Sequence, residues 1–201
     1  MDKALPVFAS DYAAQIAAAE NEVQARSITP LTSPRLVLIA AISRNRVLAA
    51  DGKIPWRMPR DTAHFRARAA GHWLLLGRRT FEQMRDWFSA DQVPLVLTRD
   101  ATLSVPGGQV CASLEDAMEL ARSQGVAKLL VCGGGSVYQA SLPLADEVIL
   151  TTVEAEFEGD VFFPELPPEE WRLQTETHFP PDENNPHAMR ITHWLRSRNG
   201  D

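Results

Sequence analysis

Leu36-Val37-Leu38-Ile39-Ala40-Ala41-Ile42 is an unbroken apolar run of strand length. It lacks the alternation of a strand with one wet face, so it reads as a strand buried on both faces. Such a strand needs a layer above it and a layer below. His72 to Gly77, Pro94 to Thr98, Ala127 to Cys132 and Glu147 to Val153 are further strand-length runs, and Val110 to Ala112 is a short extended piece. Between them lie segments with helical spacing: Arg60 to about Ala70, Arg78 to Met84, Leu114 to Gln124, and a short one through Tyr138. Strands alternating with helices predict βαβ units. Trp171 to His178 and Met189 to Leu195, joined by the polar loop Phe179 to His187, read as a closing antiparallel hairpin. The fold class expected is α/β with three layers: a mostly parallel central sheet of about eight strands, a C-terminal antiparallel hairpin, and helices on both faces.

Local chemistry places the element ends. Pro55 and Pro59 fix φ and push the preceding residues toward extended geometry, so a helix begins at about Arg60 with Pro59 near its first position. Asp61 falls in the first turn, where free N–H groups and the helix dipole favour a carboxylate. Phe65 lies one turn on, along the same face. Gly71 stops that helix, and Ser113 caps another with Glu115 and Asp116 in its first turn. Ser43 to Lys53 reads as a polar, mobile surface loop and Glu154 to Asp160 as an acidic turn. Residues 1–34 read as an N-terminal extension ahead of a domain at 35–198. A helix from Ser10 or Asp11 to about Arg26 carries a thin stripe of Tyr12, Ile16, Ala19 and Val23, and a Pro- and Ser-containing linker follows. The stripe has two readings: packing on its own domain, or contact with a second subunit.

Composition narrows the function. The chain has 201 residues and a formal net charge of −6, which argues against a general nucleic-acid or anionic-membrane binder. No apolar run is long enough to span a bilayer, and the first residues lack a secretory core. Cys111 and Cys132 lie in apolar surroundings without metal-ligand spacing, as reduced thiols of a cytoplasmic protein do.

Two strand-to-helix junctions carry the clearest ligand signal. Gly77-Arg78-Arg79-Thr80 puts backbone N–H groups, two guanidinium groups and a hydroxyl at a helix start. Gly133-Gly134-Gly135-Ser136 offers N–H groups on a glycine turn that a phosphate can approach closely. Either alone is also what a tight turn looks like; together they suit the two ends of a dinucleotide. Arg78, Arg79 and Arg99 read either as a solvated surface or as a grip for an extra ribose phosphate, which selects NADPH over NADH. Asp61 reads either as a helix-start acid or as a carboxylate shielded by Trp56, Phe65 and the first strand. Burial there raises its pKa and suits it to the edge of an amidine-like ring.

Taken in order, Ile39-Ala40-Ala41, Pro55-Trp56-Arg57-Met58-Pro59-Arg60-Asp61, Phe65, Gly77-Arg78-Arg79-Thr80, Gly133-Gly134-Gly135-Ser136-Val137-Tyr138, Thr151 and Glu158-Gly159-Asp160 closely resemble the dihydrofolate reductase family over Arg35 to about Arg198. The resemblance implies hydride transfer from NADPH to C6 of 7,8-dihydrofolate or a related reduced pterin, in one-carbon metabolism and as an antifolate target. It assigns Asp61, Trp56 and Thr151 to the pterin: the acid to the 2-amino edge, the hydroxyl to orient it, the indole to a bridging water. It assigns Ala41, Ile54, Phe65, Met84 and Arg66 to the substrate side, with Ser43 to Met58 as the loop that covers the nicotinamide. Ala40, Gly77, Arg78, Arg79, Thr80, Thr98, Arg99, Gly133, Gly134, Gly135, Ser136, Val137 and Tyr138 fall to the cofactor. A cis Gly133–Gly134 bond is implied. Separately, the chain is expected to be a monomer, with a dimer through the N-terminal extension as the other option. No metal is implied.

The chain departs from that family at Gln92, where an arginine holds the glutamate carboxylate of folate; Arg66, Arg68 and Arg85 are the candidates to replace it. Thr62 and His64 are unusually polar for positions facing the benzoyl ring or its rim. Asp51-Gly52-Lys53-Ile54 bears a faint likeness to the riboflavin-pathway reductases, which share the fold, but Pro55-Trp56 with Asp61 and Phe65 argues against that family. A non-catalytic pterin- or nucleotide-binding protein is the remaining alternative.

Overall fold

The computed structural model describes residues 33–197. The expected helix, and the expected linker at 27–34 up to residue 32, lie outside the described residues. β1 (Arg35–Ser43), β3 (Trp73–Gly77), β4 (Val93–Leu97), β5 (Gln109–Cys111), β6 (Lys128–Val131), β7 (Glu147–Val153), β9 (Trp171–Phe179) and β10 (Met189–Arg196) form an eight-stranded sheet in the order β5-β4-β3-β6-β1-β7-β10-β9. All pairings from β5 across to β7 are parallel, and β10 runs antiparallel to both β7 and β9. Leu36, Leu38, Leu75, Leu95, Leu129 and Val131 are fully buried, as strands covered on both faces require.

The helices are α1 (Pro59–Ala69), α2 (Arg78–Met84), α3 (Leu114–Ser123) and α4 (Gly135–Ser141). α1 opens with proline in its first turn, because a missing N–H is no loss where the helix leaves its N–H groups unpaired. Gly71, at φ +68, takes the left-handed position that ends this segment. Ser113 and Asp116 form a reciprocal capping box at the start of α3, where the sequence places a cap. α4 runs to Ser141, beyond Tyr138, and continues as a 3₁₀ turn, Leu142–Leu144.

Two elements differ from the sequence reading. Within the expected loop 43–53, Val47–Ala49 forms β2, and just past the acidic turn Val161–Phe162 forms β8; the two pair antiparallel as a separate ribbon. Strands of three and two residues are too short to show a period. Their pairing is set by chain more than a hundred residues away: the Asp160 N–H donates to Ala49 O at 3.0 Å, and the Phe163 N–H to Arg46 O at 2.9 Å. Gly159 is required at the crossing, because a Cβ there lies 2.3 Å from Val47 Cγ1 and 2.6 Å from Ala49 O. Cys111 and Cys132 are buried and free of disulfides.

Candidate active site

The parallel arrangement gathers the strand carboxyl ends on one edge, where Gly77 to Thr80 follow β3, Arg99 follows β4 and the Gly133 to Gly135 turn follows β6. The two glycine junctions meet. The Gly77 N–H donates to Gly133 O at 2.8 Å, and the Cys132 N–H to Leu75 O at 2.8 Å, so β3 and the turn after β6 are stitched together. A Cβ on Gly77 stands 3.2 Å from Val137, and one on Gly134 stands 3.3 Å from Thr80 Oγ1. The Gly133–Gly134 peptide is cis. Gly133 has φ +102, and a Cβ on it falls 2.9 Å from the Tyr138 ring. The turn therefore presents bare backbone beside the start of α4, a surface that suits a diphosphate.

Tyr138 lies beneath this turn, buried, with its hydroxyl donating to Ile39 O at 2.6 Å and its ring 5.0 Å from that of Phe163. Val137 is also buried, so these two support the cradle from the core side. Ser136 is exposed, and Gly134 and Gly135 are partly so. Arg78, Arg79 and Arg99 are exposed. The Asp100 carboxyl is held below the usual range chiefly by the Thr102 hydroxyl and amide, with a smaller share from the Arg78 charge. Arg78 thus stands beside the loop that carries Thr98 and Arg99.

On the other side of β1, Ala40 pairs with Leu150 and Ala41 with Thr151 in register, which sets Thr151 level with the end of β1. The first turn of α1 packs here. Burial pushes the Asp61 carboxyl up from 3.8 to about 6, and a side-chain hydrogen bond with Thr151 opposes part of that rise. Acid and hydroxyl thus come together from elements ninety residues apart in sequence. Trp56 packs at a centroid distance of 5.1 Å on Phe157, whose ring stands edge-on to His187 at 5.5 Å. Neither Phe157 nor His187 stood out in the sequence, because only the folded chain brings three distant segments into one aromatic stack. Ile54 is 61% exposed at the head of α1. The loop tip beside it is anchored by Gln83 Nε2, which donates to Gly52 O at 2.6 Å. Phe65 and Met84 are partly buried, and the Phe65 ring lies 6.1 Å from that of Trp87.

His64 is not at the rim of the pocket. It is 1% exposed, in the protein interior, and burial together with the nearby Arg68 charge lowers its pKa from 6.5 to about 3. At helical spacing the neighbour of a pocket residue points elsewhere, and here the His64 side turns inward. Gln92 has both ends of its amide engaged: Nε2 donates to Ala69 O at 3.0 Å, and Oε1 accepts from the Ser89 N–H at 3.0 Å. It fastens the end of α1 to the segment before β4.

An acid and its hydroxyl partner on one side of β1, and a glycine cradle with cations on the other, define a small α/β oxidoreductase that takes a phosphate-bearing cofactor. The dihydrofolate reductase family profile matches residues 35–196. Dihydrofolate reductase type 3 of Salmonella typhimurium is 33% identical over 162 residues, covering 80% of this chain and 98% of that protein. The Bacillus subtilis dihydrofolate reductase is 32% identical over 149 residues, covering 74% of this chain and 87% of that protein. Among solved structures, Enterococcus faecalis dihydrofolate reductase complexed with NADP(H) superposes with a TM-score of 0.73 at 28% identity, covering 82% of this chain and 97% of that one. The chain belongs to the dihydrofolate reductase family. No described helix is long and apolar enough to cross a membrane, and no described cluster of His, Cys, Asp and Glu could hold a metal ion.

Proposed function

We propose that this site reduces 7,8-dihydrofolate to 5,6,7,8-tetrahydrofolate with NADPH, and that its residues divide the work as follows. The carrying observation is Asp61, a carboxylate raised to about 6 by burial and hydrogen-bonded to Thr151 at the end of the sheet. A pterin presents an amino group and a ring N–H along one edge, and the carboxylate accepts from both while Thr151 fixes its rotamer. The negative charge so placed favours a proton at N5, delivered from solvent, without Asp61 itself touching N5. Trp56, held by Phe157, walls this edge. Ala41 and Phe65 flank the ring, Met84 lines the facing segment, and Ile54 closes over the mouth.

The residues fit the cofactor: the cradle of Gly77, Gly133, Gly134 and Gly135 has no room for a Cβ at Gly133, and Thr80 stands beside it. Ala40, Thr80, Thr98, Ser136 and the backbone of that turn hold the dinucleotide, and Arg78, Arg79 and Arg99 take the ribose phosphate that distinguishes NADPH. Val137 and Tyr138 back the cradle. When bound, NADPH supplies the hydride for pterin C6; the protein supplies alignment, shelter from bulk water and charge at Asp61. The chain acts as a cytoplasmic monomer, without nucleic-acid or membrane partners.

The test is NADPH oxidation with dihydrofolate, wild type against Asp61→Asn. Turnover by wild type and a drop of at least about 100-fold in the variant support the reading. No turnover, or an unchanged rate in the variant, overturns it.

A further inference from the structure

Asp61 is held at its tip by Thr151, from β7. A carboxylate on a short stem also needs its root held, and the root is the first turn of α1. Helix starts leave N–H groups unpaired, and a serine, threonine, aspartate or asparagine just ahead ordinarily accepts from one of them. Here that position is Met58, which makes no side-chain capping bond, and Pro59 has no N–H to pair. The Arg60 N–H, one residue before Asp61, is satisfied from elsewhere: it donates to Asn185 Oδ1 at 3.0 Å, across 125 residues of chain.

We infer that Asn185 is a positioning residue for Asp61, capping α1 from the loop between β9 and β10; this rests on the dihydrofolate reading above. The loop holds that amide still. Asn185 is 5% exposed. Its Nδ2 donates to Asp182 Oδ1 at 2.8 Å, and the same oxygen accepts from the Asn184 N–H at 2.9 Å and the Asn185 N–H at 2.8 Å. The Asp182 N–H closes the turn on Asn185 O at 2.9 Å. With Nδ2 committed to a carboxylate, turning the amide over loses both of its bonds, so Oδ1 faces Arg60. The far end of the loop is tied to the sheet, because the Glu154 N–H donates to Ala188 O at 2.9 Å and Met189 is buried.

Asp182 Oδ2 also meets Arg60 Nη2 at 2.5 Å, but the Arg60 and Asp182 side chains are 30% and 40% exposed, so that ion pair contributes less than the buried cap. Without the cap the first turn of α1 is free to shift, and Asp61 moves with it relative to Thr151. The glycine cradle is built from other segments and is left as it was.

The experiment measures kcat/KM for dihydrofolate, and Kd for NADPH by fluorescence quenching. The variants are Asn185→Ala, Asp182→Ala, Arg60→Gln, Asp61→Asn, and Asn185→Ala combined with Asp61→Asn. Asn185→Ala is expected to lower kcat/KM about tenfold while Kd for NADPH stays within about twofold of wild type, since a small misplacement of a reacting group is costly to turnover alone. In the Asp61→Asn background the same change is expected to cost less than about twofold, because residues acting through one group are not additive. A residue that only stabilises the fold lowers both backgrounds alike. Arg60→Gln keeps its backbone N–H for Asn185 and is expected to stay within about twofold of wild type. An unchanged kcat/KM in Asn185→Ala overturns the inference, as does an equal loss in both backgrounds, or a loss of the same size in Arg60→Gln. Should Asn185→Ala lose NADPH binding too, Asp182→Ala decides, since it frees the Asn185 amide from the exposed side of the turn. A loss beyond that of Arg60→Gln then supports the cap, and no such excess overturns it. Failure of wild type to reduce dihydrofolate at all strikes the reading of function instead.

Discussion

At Asp61 the protein holds a charge where water is scarce. Its carboxyl titrates at about 6 in the folded chain against 3.8 without the fold, so the folded state binds this proton more tightly than the unfolded state does. The ionised form therefore disfavours folding by up to about 3 kcal/mol above that pKa, and the penalty is relieved as pH falls from 6 toward 3.8. Asp61→Asn should accordingly raise the thermal midpoint at about pH 8 by several degrees, with the gain shrinking near pH 4, while turnover collapses. A midpoint that does not rise with the substitution shows that burial does not strain this acid. Gly133 is a second position where one atom decides. A methyl group at φ +102 meets the Tyr138 ring at 2.9 Å, and that ring is pinned by Ile39 and Phe163. Gly133→Ala should destabilise the protein by about 1–3 kcal/mol and weaken NADPH binding, as read by calorimetric titration of the variant. Wild-type affinity in that titration counts against the cradle.

Among the elements, the ribbon of β2 and β8 stands against Gly135 of the glycine turn without belonging to the main sheet. Gly159→Ala drives a methyl into Val47 and the Ala49 carbonyl, so the ribbon must open. Faster amide exchange at Val47 and Asp160, with a lower kcat, is the expected result; unchanged exchange shows that the crossing has slack. Ser113→Ala is the contrasting case. It removes the bond that the Ser113 hydroxyl accepts from the Asp116 N–H at the start of α3, far from the glycine cradle in sequence, and leaves the Ser113 N–H bond to the Asp116 carboxylate. A loss of about 1 kcal/mol in urea unfolding with unaltered kinetics is expected.

For the whole molecule, three buried groups shape the acid limit, two in one sense and one in the other. His64 stays neutral in the fold down to about 3, whereas its ordinary value is 6.5, so stability falls as pH drops between those values. Asp61 acts in the opposite sense from 6 to 3.8, which delays the visible loss to the acid end of that window. Glu147 adds to the loss. Burial alone raises its pKa, but the bond from His193 and the charges of Arg35 and Lys128 outweigh that and hold it below 4.5; its contribution disappears as pH falls beneath that value. His64→Leu should flatten the acid limb of a stability-against-pH curve measured by urea unfolding. A limb of unchanged slope assigns acid sensitivity to other groups.

The sequence by itself determined the layers and the edge on which chemistry happens. Continuous apolar runs separated by capped helices admit little besides a buried parallel sheet, and local rules of proline, glycine and serine located most element ends. It also determined the family, because Asp61, the two glycine junctions and Thr151 occur in a fixed order. Tertiary structure alone decided what depends on residues far apart. The β2–β8 ribbon exists because Ala49 and Arg46 find partners near Asp160 and Phe163. The Trp56–Phe157–His187 stack has no local signal. His64 lies inward of the pocket wall because helix rotation, not residue type, sets direction. Gln92, legible only as a missing charge, proves to be a fastener between α1 and the start of β4. Period and propensity act over a few residues, whereas these contacts are chosen by the packing of the whole sheet.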